Sequence, residues 1–337
     1  MSLSFAVPPE LADAYRFRAG QYLTLRTALD GAEVRRSYSI CSGEDDGELR
    51  IAIKQVAGGS FSTWAQDALR PGTPLDVMTP TGRFGVSGSG GGRVHLGIAA
   101  GSGITPVLSL MKTVLSREPG SRFFLFYGSR ATGEILFRTA LEDLKDRYLG
   151  RVSVFHALSG EQNDVDVLHG RLDRAKLDAV LGRTLGGAGV DAAYLCGPEG
   201  LVADAQEALA ALGVPPGHVH VERFTSAHDG RPRAPRPPPA PGAPPRAVAT
   251  VVLDGVRRDV PVAENETVLD AAARAGLDLP FSCKGGMCST CRAQVREGRV
   301  EMEVNYSLEP WELEAGYVLT CQARPTTDRL TVDFDRQ

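Results

Sequence analysis

No stretch of this 337-residue chain is long and apolar enough to cross a bilayer. Its most apolar run, Leu96 to Met111, is interrupted by glycines, serines and a proline. The opening residues MSLSFAVPPE have neither a basic region nor an apolar core behind it, which argues against secretion. A basic excess is missing as well. With 37 Lys and Arg against 41 Asp and Glu, the net charge of −4 provides no global field for nucleic acid. There is no Glu-x-x-His pair, the spacing that di-iron carboxylate helices use, and no Cys-x-His of the kind a Rieske centre needs. Oxygen activation is therefore not expected within this chain. Cysteine is scarce and unevenly placed: of six, three fall within nine residues, and Cys41, Cys196 and Cys321 stand alone. That is not a disulfide framework but the clustering of a metal or cluster site in a soluble, cytoplasmic protein.

The length predicts more than one domain. The clearest boundary is residues 227–247, which hold eight of the 22 prolines. Such density sustains neither sheet nor helix and reads as an extended tether, reaching roughly 60 Å at about 3.1 Å per residue. It is either a passive spacer or a swing between two electron partners. Charge changes across it, from about −2 before it, through about +3 within it, to about −5 after it. Glu297, Glu301, Glu303, Glu309, Glu312 and Glu314 follow the third clustered cysteine, as a solvated face or as a docking surface for a basic partner.

Before the tether the texture shifts near residue 90. In residues 1–90, short strand-like runs (QYLTLRT, RRSYSI, LRIAIKQV, PLDVMTP) alternate with turn signals, predicting a small antiparallel β-barrel. In residues 91–226, strands alternate with helices, predicting an α/β doubly wound parallel sheet. After the tether, residues 248–337 read as a hairpin, a helix in ETVLDAAARAG and a returning strand LTVDFD. The helix is expected to bury Val268, Leu269, Ala272 and Ala273, with Asn265 or Thr267 as its N-cap.

The chemistry concentrates in three places. Cys283-x4-Cys288-x2-Cys291, with Cys321 after 29 further residues, is the plant-type [2Fe–2S] spacing. Zinc is the alternative, but zinc sites favour two short cysteine pairs in separate hairpins. In the barrel half, Arg36, Tyr38 and Ser39 end a strand, and Gly59, Ser60 and Ser62 open a helix-like segment. Arg36 and a helix N-terminus suit a phosphate, Tyr38 suits an isoalloxazine face, and Ser39 suits the reacting flavin edge. In the α/β half, Gly101-Ser102-Gly103-Ile104-Thr105-Pro106 follows a buried strand. Its glycines permit approach to a pyrophosphate, Thr105 suits a cap, and Pro106 suits the first helical position. It departs from G-x-G-x-x-G, so a structural turn remains open as a reading. The next strand ends in Ser129-Arg130, where an arginine favours the 2′-phosphate of NADPH over NADH. Cys196-Gly197-Pro198 ends another strand, with Cys196 either structural or beside the nicotinamide. Cys41 reads as structural only.

Together these motifs resemble the ferredoxin–NADP reductase superfamily carrying a C-terminal plant-type ferredoxin, as in the reductase components of multicomponent oxygenases. The likeness is nearest to the reductase subunits of phenylacetyl-CoA epoxidases. It rests on RRSYSICS, YGSRATGEILFRTALEDLKDRYL, FHALSGEQ and the segment running from Cys283 to Pro325. It implies FAD at Arg36, Tyr38, Ser39 and Gly59–Ser62, a nicotinamide nucleotide at Gly101–Pro106, Ser129, Arg130 and Cys196, and Glu222 and Phe224 near the flavin. The catalytic set is then Ser39, Cys196 and Glu222. The last domain is expected to be an α+β ubiquitin-like ferredoxin fold. Family barrels begin one strand earlier, so the first strand is expected to be missing. The expected activity is an NADPH-dependent oxidoreductase passing electrons through FAD and [2Fe–2S] to a partner oxygenase, of the di-iron aromatic acyl-CoA type. The alternatives are a reductase for a Rieske-type or other hydroxylase, and a zinc-stabilised interaction module.

Overall fold

The computed structural model describes residues 1–86, 90–162, 168–185, 189–224 and 244–336. The chain divides into two compact units, the first ending at Phe224. Most of the proline-rich tether expected over 227–247 lies outside the described residues, and its last residue, Ala247, opens a strand.

The first unit begins with β1 (Ser2–Phe5), β2 (Tyr22–Leu29), β3 (Ala32–Ser39), β4 (Leu49–Ala52), helix α1 (Ser60–Ala68) and β5 (Asp76–Val77). Alternation carries these strands: β4 buries Leu49 and Ile51 and turns Arg50 and Ala52 outward. They form two small sheets, β1–β4 and β3–β2–β5, joined by a bridge between Ile40 and Ile51. The expected barrel is therefore an open pair of antiparallel sheets among the described residues, closed over a core of Leu23, Leu25, Ile40, Ile51 and Phe61. Strand β1, which the sequence pattern did not signal, sets Leu3 opposite Ile51.

There follow β6 (Val94–Ala100), α2 (Ile104–Arg117), β7 (Arg122–Ser129), α3 (Arg138–Arg147), β8 (Val152–Leu158), α4 (Arg174–Leu185), β9 (Ala192–Cys196), α5 (Glu199–Ala211) and β10 (Val219–Glu222). The strands make one parallel sheet in the order β10–β9–β6–β7–β8. The chain moves outward from β6 through β7 to β8, then returns to β9 on the other side. The order thus reverses between β6 and β9, and open α/β sheets bind ligands at the carboxyl ends of strands flanking such a reversal. Both faces of β6 are buried, which is why VHLGIAA reads as an unbroken apolar run.

The second unit contains β11 (Ala247–Leu253), β12 (Val256–Val262), α6 (Val268–Arg274), β13 (Arg292–Glu297), β14 (Val300–Met302), α7 (Pro310–Glu314), β15 (Tyr317–Leu319), β16 (Ala323–Pro325) and β17 (Arg329–Asp333). Its mixed sheet runs β12–β11–β17–β13–β15, with β14 and β16 paired apart from it. Helix α6 buries Val268, Leu269, Ala271 and Ala272, whereas Ala273 is exposed. The buried face follows the i, i+3, i+4 rule from Val268, which selects Ala271 over Ala273. Thr267 is the N-cap, its Oγ1 accepting from Asp270 N at 3.2 Å. Asn265 instead takes a left-handed turn position with φ 62°.

Candidate functional site

The nucleotide end of the first unit is assembled by close packing. In register, Ala99 of β6, Cys196 of β9 and Glu222 of β10 lie side by side at the carboxyl edge of the sheet. The turn after β6 packs directly on them: a Cβ added to Gly103 would come 2.0 Å from the carbonyl oxygen of Cys196. Gly101 has φ +55° and open space where a side chain would sit, which leaves backbone accessible for a pyrophosphate. Tyr127 supports this turn by donating its hydroxyl to Gly101 O at 2.9 Å. The helix begins at Ile104, with Gly103 at its N-cap. Pro106 is thus its third residue and not its first, still within the turn where a missing N–H costs nothing. Thr105 does not cap either, because its hydroxyl donates back to Ser102 O at 2.9 Å.

The electrostatics of this edge are those of a dry site. Burial and the nearby Glu222 charge push the Cys196 thiol well above its ordinary value, so it stays protonated. Burial likewise raises the Glu222 carboxyl to about 8, although part of the residue's surface is open. Phe224 packs against the cluster that includes Cys196 and Ile104. Further along the edge, Ser129 ends β7 opposite Leu158, and the Arg130 guanidinium is 77% exposed with Glu134 3.9 Å away.

Arg36, Tyr38 and Ser39 share the end of β3, Arg36 exposed and Ser39 buried. The Tyr38 ring meets Phe61 of α1 at 5.7 Å, which brings this strand to the Gly59–Ser62 turn. Ser62 is occupied in building that turn: its hydroxyl accepts from Val56 N at 3.1 Å and donates to Gly59 O at 3.2 Å. A Cβ on Gly59 would lie 2.8 Å from Ser62 Oγ, so a side chain there would displace the hydroxyl that builds the turn. Ser60 is exposed at the start of α1, where N–H groups without helical acceptors suit a phosphate.

One connection escaped the sequence reading. The loop after β3 is clamped to α2, the helix that starts at the glycine turn. Ser109 Oγ donates to Ser42 O at 2.6 Å, Lys112 pairs with Asp46 at 2.6 Å, and Arg117 pairs with Glu44 and Asp45. Acid-rich GEDD facing the lysine and arginine of α2 was the available signal, but only the fold shows that they meet. Cys41 is buried and its thiol is raised to about 11 by burial, as its structural reading requires.

In the second unit, the cysteine loop is shaped by left-handed residues at Lys284, Gly286 and Ser289. The thiols group as two neighbouring pairs, Cys283 with Cys288 and Cys291 with Cys321. Among the described residues no three His, Cys, Asp or Glu side chains converge on a point that holds one metal ion. Two thiol pairs side by side fit a two-iron rhomb, not a single tetrahedral zinc. Gly285 N donates to Cys283 Sγ at 3.3 Å, Cys283 N to Cys288 Sγ at 3.4 Å, Thr290 Oγ1 to Cys288 Sγ at 3.2 Å, and Gln322 Nε2 to Cys321 Sγ at 3.4 Å. The neighbouring Cys288 thiol and loop N–H groups pull the Cys283 thiol below its ordinary value. Ser282 Oγ is buried beside the loop without a hydrogen-bond partner, a further fit to an anionic cluster. Thr290 and Gln322 were not singled out from sequence, though each is within two residues of a ligand.

The glutamate-rich stretch is not one solvated face. Glu312 is fully buried and binds Arg292 at 2.8 Å, Glu303 pairs with Arg324, and Glu309 shares a capping box with Glu312.

A glycine-turn nucleotide edge, a clamped flavin half and a four-thiolate loop define a flavin- and iron–sulfur-dependent electron-transfer oxidoreductase. Family comparisons agree: an oxidoreductase FAD-binding domain matches residues 1–85, an oxidoreductase NAD-binding domain 98–207, and a 2Fe-2S iron–sulfur cluster binding domain 251–326. The chain is 46% identical to a component of the 1,2-phenylacetyl-CoA epoxidase of Escherichia coli (strain K12), over 99% of this chain and 93% of that one. It is 35% identical to the ferredoxin reductase component of 3-ketosteroid-9-alpha-monooxygenase from Rhodococcus rhodochrous, over 99% and 92%. Phthalate dioxygenase reductase shares the fold, with a TM-score of 0.53 at 22% identity over 94% of this chain and 88% of that one. This chain belongs to the family of oxygenase reductase components that includes these epoxidase and ketosteroid monooxygenase proteins, moving electrons from a nicotinamide nucleotide through FAD to a [2Fe–2S] cluster. Among the described residues no helix is long and apolar enough to cross a membrane.

Proposed function

We propose that this reductase prefers NADPH and feeds a di-iron monooxygenase acting on an aromatic acyl-CoA, in the cytoplasm. Its domains are assigned to residues 1–90, 91–226 and 248–337, with 227–247 as the tether. The 46% identity to an epoxidase component over nearly the whole chain supports the partner. The exposed Arg130 guanidinium at the end of β7, where NAD sites usually place an acid, supports NADPH.

When bound, FAD supplies a carrier that takes two electrons together and releases them singly, as a one-electron cluster requires. The protein's own residues do the positioning. Gly101 opens backbone to the pyrophosphate, Gly103 lets the nucleotide-binding turn pack onto Cys196, with Thr105 and Pro106 shaping the turn, and Ser129 and Arg130 take the 2′-phosphate. Cys196, a protonated thiol, borders the nicotinamide, and Glu222 holds a proton at its carboxyl beside it. Arg36, Gly59, Ser60 and Ser62 hold the flavin phosphates, Tyr38 and Phe224 border the ring, and Ser39 meets its reacting edge. Cys283, Cys288, Cys291 and Cys321 hold the cluster.

Two experiments test this. Losing a hydrogen bond to a charged group costs about 1.5–3 kcal/mol, so Arg130→Ala should raise the KM for NADPH roughly tenfold or more and leave that for NADH nearly unchanged. Equal effects on both would reject the preference. Mixing the holoenzyme with a di-iron epoxidase and an aromatic acyl-CoA should give substrate-dependent NADPH consumption. No coupling there, with coupling to another hydroxylase, would favour the second reading, which the 35% identity to a ketosteroid monooxygenase reductase supports.

A further inference from the structure

Three large apolar side chains are exposed within eight residues of the ferredoxin domain: Tyr306 at 48%, Trp311 at 57% and Leu313 at 44%. Singly exposed apolar residues are ordinary, but grouped ones mark contact surfaces. This segment is fastened to the cysteine loop at two points. Tyr306 N donates to Gly286 O at 3.1 Å, and a Cβ on Gly286 would come 3.0 Å from Val304 Cγ2. One residue beyond Cys291, Arg292 binds the buried Glu312 while its guanidinium lies 3.4 Å from the centre of the Tyr317 ring. Glu312 and the capping box hold α7 in place, so Trp311 and Leu313, the neighbours of Glu312 in sequence, are presented outward on a fixed mount. The segment that carries them is acidic: residues 300–323 contain no lysine or arginine, and Glu301, Glu309 and Glu314 are exposed.

We propose that Tyr306, Trp311 and Leu313 form an apolar anchor, ringed by these glutamates, for a protein electron acceptor with an apolar socket edged by lysine and arginine. The apolar centre supplies affinity, as exposed tryptophans typically do at interfaces, and the acidic rim supplies steering. The proposal rests on the reading of the cluster as the exit for electrons.

The test uses the full-length holoenzyme with cytochrome c, a small basic haem protein, as the acceptor. Trp311→Ala should raise the KM for cytochrome c at least tenfold with kcat little changed, and Trp311→Phe should restore most of the loss. The double variant Glu309→Gln/Glu314→Gln should flatten the salt dependence of kcat/KM. Cluster reduction by NADPH in a single turnover, without acceptor, should be the same in every variant. An unchanged KM in Trp311→Ala together with an unchanged salt dependence in the double variant overturns the proposal. Slowed internal cluster reduction with an unchanged KM would assign the patch to the chain's own flavin half, and also overturns it. A wild-type cluster that NADPH does not reduce at all would instead reject the exit reading, and the anchor with it.

Discussion

A side chain on Gly103 would place its Cβ 2.0 Å from the carbonyl oxygen of Cys196. The glycine turn and the Cys-Gly-Pro turn are therefore one packed unit at the point where strand order reverses. Gly103→Ala must push backbone from backbone, at a cost of about 1–3 kcal/mol. The expected outcome is a Tm several degrees lower and a raised KM for NADPH, with the cluster's visible spectrum unaltered. Unchanged nucleotide affinity would show that the turn does not hold the nucleotide.

Glu222 provides a pH signature. Burial raises it from 4.5 to about 8, so it is protonated at neutral pH and ionises as pH climbs further. Its folded value lies above its unfolded one, so the stability it contributes is fully present below about 4.5 and is lost as pH rises through 8. NADPH-driven dye reduction should decline through pH 8, where negative charge appears beside Cys196. Glu222→Gln should remain flat over that window, and a wild-type profile flat to pH 9 would contradict the assignment.

A second titration lies at the opposite edge of the same sheet. His95 is fully buried, with its Nε2 3.0 Å from Glu118 and the rings of Phe123 and Tyr194, themselves 6.2 Å apart, each 6.0 Å away. Burial holds His95 below 6.5. Burial pushes Glu118 up, but hydrogen bonds from Arg93, Ser121 and His95 leave it below 4.5. Both folded values are depressed, so the stability from this pair is present above the unfolded values and is lost on acidification. Thermal unfolding should show Tm falling from pH 7 to pH 5. Glu118→Gln should cost about 1.5–3 kcal/mol at pH 7 by removing the charged acceptor that Arg93 and Ser121 bond.

At the cluster, Gln322 and Thr290 each donate to a ligand sulfur. Hydrogen bonds to the sulfurs help set the reduction potential, and removing a donor destabilises the more negative, reduced state. Gln322→Ala and Thr290→Val should each move the potential to more negative values while retaining two irons per chain. A potential unmoved in both would mean that these contacts do not reach the bound cluster.

The parts legible in sequence were those whose chemistry is local. The cysteine spacing, the glycine turn and the strand–helix alternation each follow from residues close in the chain, and all three appear in the fold. Less visible was whatever depends on distant residues. That Glu312 is buried against Arg292 could not be told from a run of glutamates, because solvated and paired acids look alike in one dimension. Ser109 meeting Ser42 across 67 residues is likewise invisible without the fold. The barrel is open among the described residues because β5 spans only Asp76–Val77, a shortness that the apolar text of PLDVMTP did not reveal.

The most direct test of the whole account is an anaerobic single-turnover reduction with NADPH, followed by visible absorbance and electron paramagnetic resonance. The wild-type protein should show flavin bleaching followed by a reduced [2Fe–2S] signal. Cys291→Ser should bleach the flavin but yield no such signal. A colourless, zinc-containing wild-type protein, or a bleached flavin beside a cluster that stays oxidised, would contradict it.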